Sequence, residues 1–133
     1  MSTPEAQLWK GTHFSIERKE GKNSGTLIFR FAGPFTARDM YGHLTPQALQ
    51  NMLKFQSTPD EQLPLVNILD LAGVPYMDSA GLGMIVTHYV RCQGKGLKMF
   101  AAGMTPRVLD LFRMTKVDTI IPIVASVDEV DTL

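Results

Sequence analysis

Asp78-Ser79, followed by Gly81 and Gly83, is the arrangement in this chain whose residue types and spacing best suit a chemical event. The pair lies where an apolar run, Leu65 to Leu71, gives way to a helical pattern, Leu82 to Gln93. The first amides of a helix have no partner inside it, and that terminus carries partial positive charge. A hydroxyl there is exposed and sits where an anion is accommodated. Ser79 can therefore act as a nucleophile, cap the helix, or accept a phosphate.

The nucleophile reading fails on its neighbours. A nucleophile elbow has the pattern Gly-x-Ser-x-Gly, and Met77 stands two residues before Ser79. The histidines, His13, His43 and His88, fall in different elements, and no acid-histidine order surrounds the serine. One cysteine and no paired histidines leave no zinc spacing. A phosphate-binding Gly-x-x-x-x-Gly-Lys loop is missing, and Val86 fills the third glycine of a would-be Gly-x-Gly-x-x-Gly. Asp70 at a strand end suits a receiver-type phospho-acceptor. That site also needs an acidic pair after the first strand and a lysine after the last, where this chain has Lys19-Glu20-Gly21 and Ala125-Ser126. No catalytic residue, metal or cofactor is expected, and the chain is not expected to be an enzyme.

Capping is the ordinary role of Asp and Ser before a helix. Gly81 and Gly83 add something, because each glycine inside a helix costs about 1 kcal/mol relative to alanine. They serve either close packing of the helix on a sheet or a bare backbone surface for a partner. A phosphate on Ser79 would add about −1.5 to −2 charges beside Asp78 and reverse the local electrostatics.

The elements that position this junction read clearly. Residues 1–10 are expected to be a poorly held, flexible end. Phe14, Ile16 and Arg18 alternate as a strand from Thr12, and a polar connection from Lys19 to Gly25 leads to a second strand, Thr26 to Phe31, ended by Gly33-Pro34. A broken helical region is expected from Thr36 to Gln56. Thr36 and Asp39 form a capping box, and Thr45-Pro46 makes a second start. A loop with Pro59 spans Ser57 to Leu63. Leu65 to Leu71 suits a central strand covered on its faces. Gly94-Lys95-Gly96 ends the next helix, Leu97 to Ala101 is a strand, and Thr105-Pro106 opens a helix through Met114. Thr119 to Val124 is an edge strand carrying Pro122, and Ser126 to Glu129 a final capping box. The order predicts an α/β fold. A mostly parallel sheet of about five strands has one antiparallel edge strand, with helices packed against it.

At 133 residues the chain fits one domain, and 44% hydrophobic residues suit a globular one. Thirteen basic and 13 acidic residues balance to zero, which argues against a nucleic-acid partner. No apolar run is long enough to insert in a membrane, no secretory signal is seen, and the lone Cys92 excludes an internal disulfide. A cytoplasmic location is expected. Cys92 reads as packing, His88 as a solvent-facing helical residue, and Arg107 and Arg113 as solvated. The methionines read mostly as core, with Met77 and Met84, together with Leu82, as candidates for an apolar patch beside Ser79.

Tyr76-Met77-Asp78-Ser79-Ala80-Gly81-Leu82-Gly83 resembles the signature of the STAS domain, and most of all that of bacterial anti-sigma-factor antagonists. The resemblance runs from about Thr12 to Asp131 and makes residues 11–133 the STAS domain. It implies a protein-binding switch. The serine is phosphorylated by a partner that is both serine kinase and anti-sigma factor; the unphosphorylated form binds that partner, and a serine phosphatase resets it. Ser79 is the matching acceptor, Asp78 the acid orienting it, and Met77, Ala80, Gly81, Leu82 and Gly83 part of the docking surface. The family often carries an acid soon after the hairpin glycine, and Thr36 stands there in Gly33-Pro34-Phe35-Thr36. The region from Thr36 to Leu63 is longer than in compact members. The alternative is a STAS scaffold that does not switch, or an accessory subunit of a signalling or lipid-transport assembly.

Overall fold

The structure is a computed structural model that describes residues 6–10, 13–38, 46–53 and 63–132. Thr12, Asp39 and Thr45, and the loop at 54–62 with Pro59, lie outside the described residues. Six strands form one sheet in sequence order: β1 (Ala6–Lys10), β2 (Ser15–Glu20), β3 (Thr26–Ala32), β4 (Val66–Gly73), β5 (Lys98–Ala102) and β6 (Ile123–Val124). β1-β2 and β2-β3 are antiparallel, and the pairs from β3 to β6 are parallel. The α/β sheet and its helices are as the sequence predicts, with one strand more. The difference is β1. Its residues, expected to be a flexible end, pair along β2 from Ala6–Arg18 to Lys10–Ser15.

Strand alternation divides the core. Leu27, Phe29 and Phe31 of β3 and Leu69 and Leu71 of β4 face one way, while Ile28 and Ile68 face the other. The first face meets α1 (Pro46–Met52), α2 (Ser79–Gly94) and α3 (Pro106–Met114). Leu49, Leu82, Ile85, Val108 and Phe112 from these helices join one cluster with the sheet residues. Among the described residues, Val127 and Val130 of the C-terminal segment pack on the second face, beside Val66 of β4 and Val124 of β6. That segment is tied down by Asp131, a buried carboxylate that accepts from the Lys22 and Asn23 amides at 2.8 Å each.

Two sequence expectations change near the end of the chain. β6 is only two residues long because Val117–Thr119 turns as a 3-10 helix and Pro122 has no amide to give a ladder. Val127–Glu129 is a 3-10 turn that Ser126 does not cap. Glu129 instead accepts from the Ala125 amide at 2.9 Å.

Candidate functional site

The site begins at the end of β4. Val74 to Asp78 leaves the sheet and runs beside the segment that follows β3. The Phe35 amide donates to the Tyr76 carbonyl at 3.1 Å and the Asp78 amide to the Phe35 carbonyl at 3.3 Å. These bonds form an isolated parallel bridge between Phe35 and Met77. Phe35 is a rigid strut, fully buried, stacked on Phe14 at 5.0 Å and edge-on to Phe31 at 5.2 Å. Thr36 and Asp78, 42 positions apart in sequence, are thereby brought side by side.

Asp78 is the N-cap of α2, with an extended backbone. One carboxylate oxygen accepts from the Gly81 amide at 3.0 Å and the other from the Ala37 amide at 2.9 Å. Helical geometry starts at Ala37–Arg38, so a single carboxylate serves the starts of two helical segments. The capping box expected from Thr36 and Asp39 involves Asp39, which lies outside the described residues; the Ala37 amide is instead bonded from across the chain by Asp78.

Because Asp78 caps, Ser79 does not have to. It is the first helical residue, exposed, and its hydroxyl makes no hydrogen bond among the described residues. It stands free at the positive end of a 16-residue helix.

The two glycines divide between the two readings that the sequence leaves open. A Cβ on Gly81 would lie 2.2 Å from the Phe35 carbonyl oxygen, so Gly81 exists to let α2 approach the strut. A Cβ on Gly83 would meet nothing within 4 Å, and that residue is exposed backbone. Three expected docking residues are corrected by the same packing. Leu82 is buried on the face of α2 that also carries Ile85, Gly81 packs on Phe35, and Met77 is buried at its bridge to Phe35. Ala80, Met84 and Thr36 are half-buried. Ser79 and Gly83 remain outward.

Sequence reading missed Tyr76 and Arg107. The Arg107 guanidinium carbon lies 4.7 Å from the centroid of the Tyr76 ring. Thr105 explains why they meet. Its hydroxyl accepts from the Val108 amide at 3.3 Å as the cap of α3, and lies 3.3 Å from the Val74 carbonyl, to which it donates. The start of α3 is thus clipped to the loop that leads to Ser79. Thr105-Pro106 gave the cap; nothing in the sequence gave the clip.

Asp70 lies inside β4 and not at its end, and His88 also departs from its sequence reading. The Asp70 carboxylate faces the other side of the sheet, 3.6 Å from the Arg30 guanidinium. His88, expected to face solvent, is fully buried, edge-on to Phe29. Asn67 Oδ1 can only accept, so the His88 Nε2–H donates to it, at 2.9 Å. Loss of water, helped by the charge of Arg91, lowers the His88 pKa to about 4 and keeps the ring neutral. Cys92 is buried, and burial pushes its thiol up to about 12, which suits packing and not redox chemistry.

Among the described residues, no three His, Cys, Asp or Glu side chains are grouped to hold a metal, and no helix is long and apolar enough to cross a membrane. A profile of the STAS domain matches residues 18–130. The fold is similar to that of an anti-sigma factor antagonist from Mycobacterium paratuberculosis, with a TM-score of 0.68, 17% identity, and coverage of 87% of this chain and 89% of that one. It is similar to a sulfate transporter family protein from Wolinella succinogenes, with a TM-score of 0.64, 18% identity, and coverage of 80% and 82%. It is also similar to part of the murine anion transporter Slc26a9, with a TM-score of 0.64, 14% identity, and coverage of 80% and 17%. A comparison with curated protein sequences gives no match.

Proposed function

We propose, from the premise that the chain belongs to the STAS domain family, that it is an anti-sigma-factor antagonist switched at Ser79. In its unphosphorylated form it binds an anti-sigma factor that is also a serine kinase, and so releases a sigma factor. Phosphate on Ser79 ends that binding, and a serine phosphatase restores it. The chain acts by binding and not by turnover.

The observation that carries this reading is the division of labour between Asp78 and Ser79. Asp78 satisfies the helix start, so the neighbouring hydroxyl is exposed and uncommitted. A phosphate there meets the amide end of α2 without disturbing the cap. It also places about two negative charges on the surface that includes Gly83.

The test combines the purified chain with candidate anti-sigma serine kinases and ATP, with mass spectrometry of Ser79. One kinase should add a single phosphate there and bind Ser79→Asp at least about tenfold more weakly than wild type, as expected for a charge set into an interface. Equal affinity for wild type and Ser79→Asp overturns the switch.

A second reading has its own observations. The fold is about as similar to a sulfate transporter family protein, with a TM-score of 0.64, as to an anti-sigma factor antagonist, with 0.68, and Thr36 stands where the resemblance implies an acid. In that reading the chain is a scaffold or accessory subunit, and no kinase modifies Ser79.

A further inference from the structure

We propose that Arg107, laid on the ring of Tyr76, is the anchor for an acidic segment of the protein that docks at Ser79. This inference rests on the phosphorylation-switch reading and adds the chemistry of the partner. Arg107 is exposed in the first turn of α3, and Tyr76 is 38% exposed. Their contact is a cation–π pair, which holds the guanidinium by its face. Its N–H edges stay available for bidentate bonding to a carboxylate. Among the described residues no carboxylate pairs with Arg107. The Asp78 carboxylate, two residues after Tyr76, is already occupied by two amides. An uncompensated cation thus stands preorganised on an aromatic face, and preorganisation lowers the entropy lost on binding. Arg and Tyr are also the residue types that most often dominate binding energy.

Position selects the occupant. Tyr76 is three residues before Ser79, at most about 11 Å along the chain, and the Thr105 clip ties α3 to the same loop. A phosphate on Ser79 is therefore added to the loop to which Arg107 is held, and its charge opposes an acidic occupant of Arg107. An acidic partner segment explains both halves of the switch. It is drawn to Arg107 when Ser79 is bare and repelled by the phosphate when it is not.

The experiment measures binding of the wild type, Arg107→Ala, Arg107→Lys, Arg107→Glu, Tyr76→Phe and Tyr76→Ala to the kinase identified by Ser79 phosphorylation, at two salt concentrations. Arg107→Ala should weaken binding about 30-fold, the loss typical of an arginine hot spot, and Arg107→Glu more. Arg107→Lys should keep part of the affinity, Tyr76→Phe should match wild type, and Tyr76→Ala should weaken binding. The salt dependence should be shallower for Arg107→Ala than for wild type. Thermal melts check folding, which an exposed arginine should not alter. Wild-type binding with Arg107→Glu unchanged or tighter overturns the anchor and leaves the switch standing. If no kinase binds the wild type, the switch reading falls and the anchor with it.

Discussion

Asp78 and Ser79 are neighbours with separate duties, and substitution should separate them. Asp78→Ala strands the Gly81 and Ala37 amides and should cost about 2 kcal/mol, the upper range for loss of a helix cap. Asp78→Asn keeps one accepting oxygen and should cost less. Ser79→Ala removes no bond seen among the described residues and should change stability by no more than about 0.5 kcal/mol. Urea unfolding of the three variants checks this order. His88 gives a second expectation at this scale. Its folded pKa of about 4 lies below the ordinary histidine value of 6.5, so the unfolded chain takes up the proton first. The resulting stability is complete above pH 6.5 and is lost as pH falls toward 4, by roughly 3 kcal/mol in all. His88→Gln should flatten that part of the stability-pH curve. The sequence placed His88 on a helix but not on its buried face. The hydrophobic spacing of Leu82, Ile85 and Tyr89 allows His88 either side, and Asn67 on β4 decides it.

At the scale of the element, α2 carries two glycines of opposite meaning. Gly81→Ala drives a methyl into the Phe35 carbonyl, and such overpacking costs about 1–3 kcal/mol. Gly83→Ala meets open space and should stabilise the helix by up to about 1 kcal/mol. If Gly83 is partner surface, the same variant should weaken kinase binding while it raises the melting temperature. Calorimetry and a binding titration on one sample read both effects. Helix starts were legible because capping is local chemistry: Pro46, Asp78 and Thr105-Pro106 all mark helices where the sequence puts them. The role of each glycine was not legible, because it depends on a carbonyl some 46 positions earlier in the chain.

For the whole molecule, the helices cover one sheet face and the chain's end covers the other. Asp131 is the fastening of that second cover, accepting two amides from more than 100 residues away. Asp131→Ala should cost about 3 kcal/mol, as expected for buried bonds to a charge. It should also raise hydrogen exchange at Lys22 and Asn23 above that of the Ser79 turn, which α3 and Phe35 hold independently. The alternation of β2 and β3, the apolar run of β4 and the helix caps are written in neighbouring residues, and from them the sequence alone determined the α/β order, the helix after Ser79 and the family resemblance. Tertiary structure alone decided that residues 6–10 are a strand, that Met77 and Leu82 are buried, that Asp78 serves two segments, and that Arg107 lies on Tyr76. The physical reason is common to all four. Local propensity acts over a few residues, whereas pairing, burial and side-chain contact depend on which distant segments the sheet brings together.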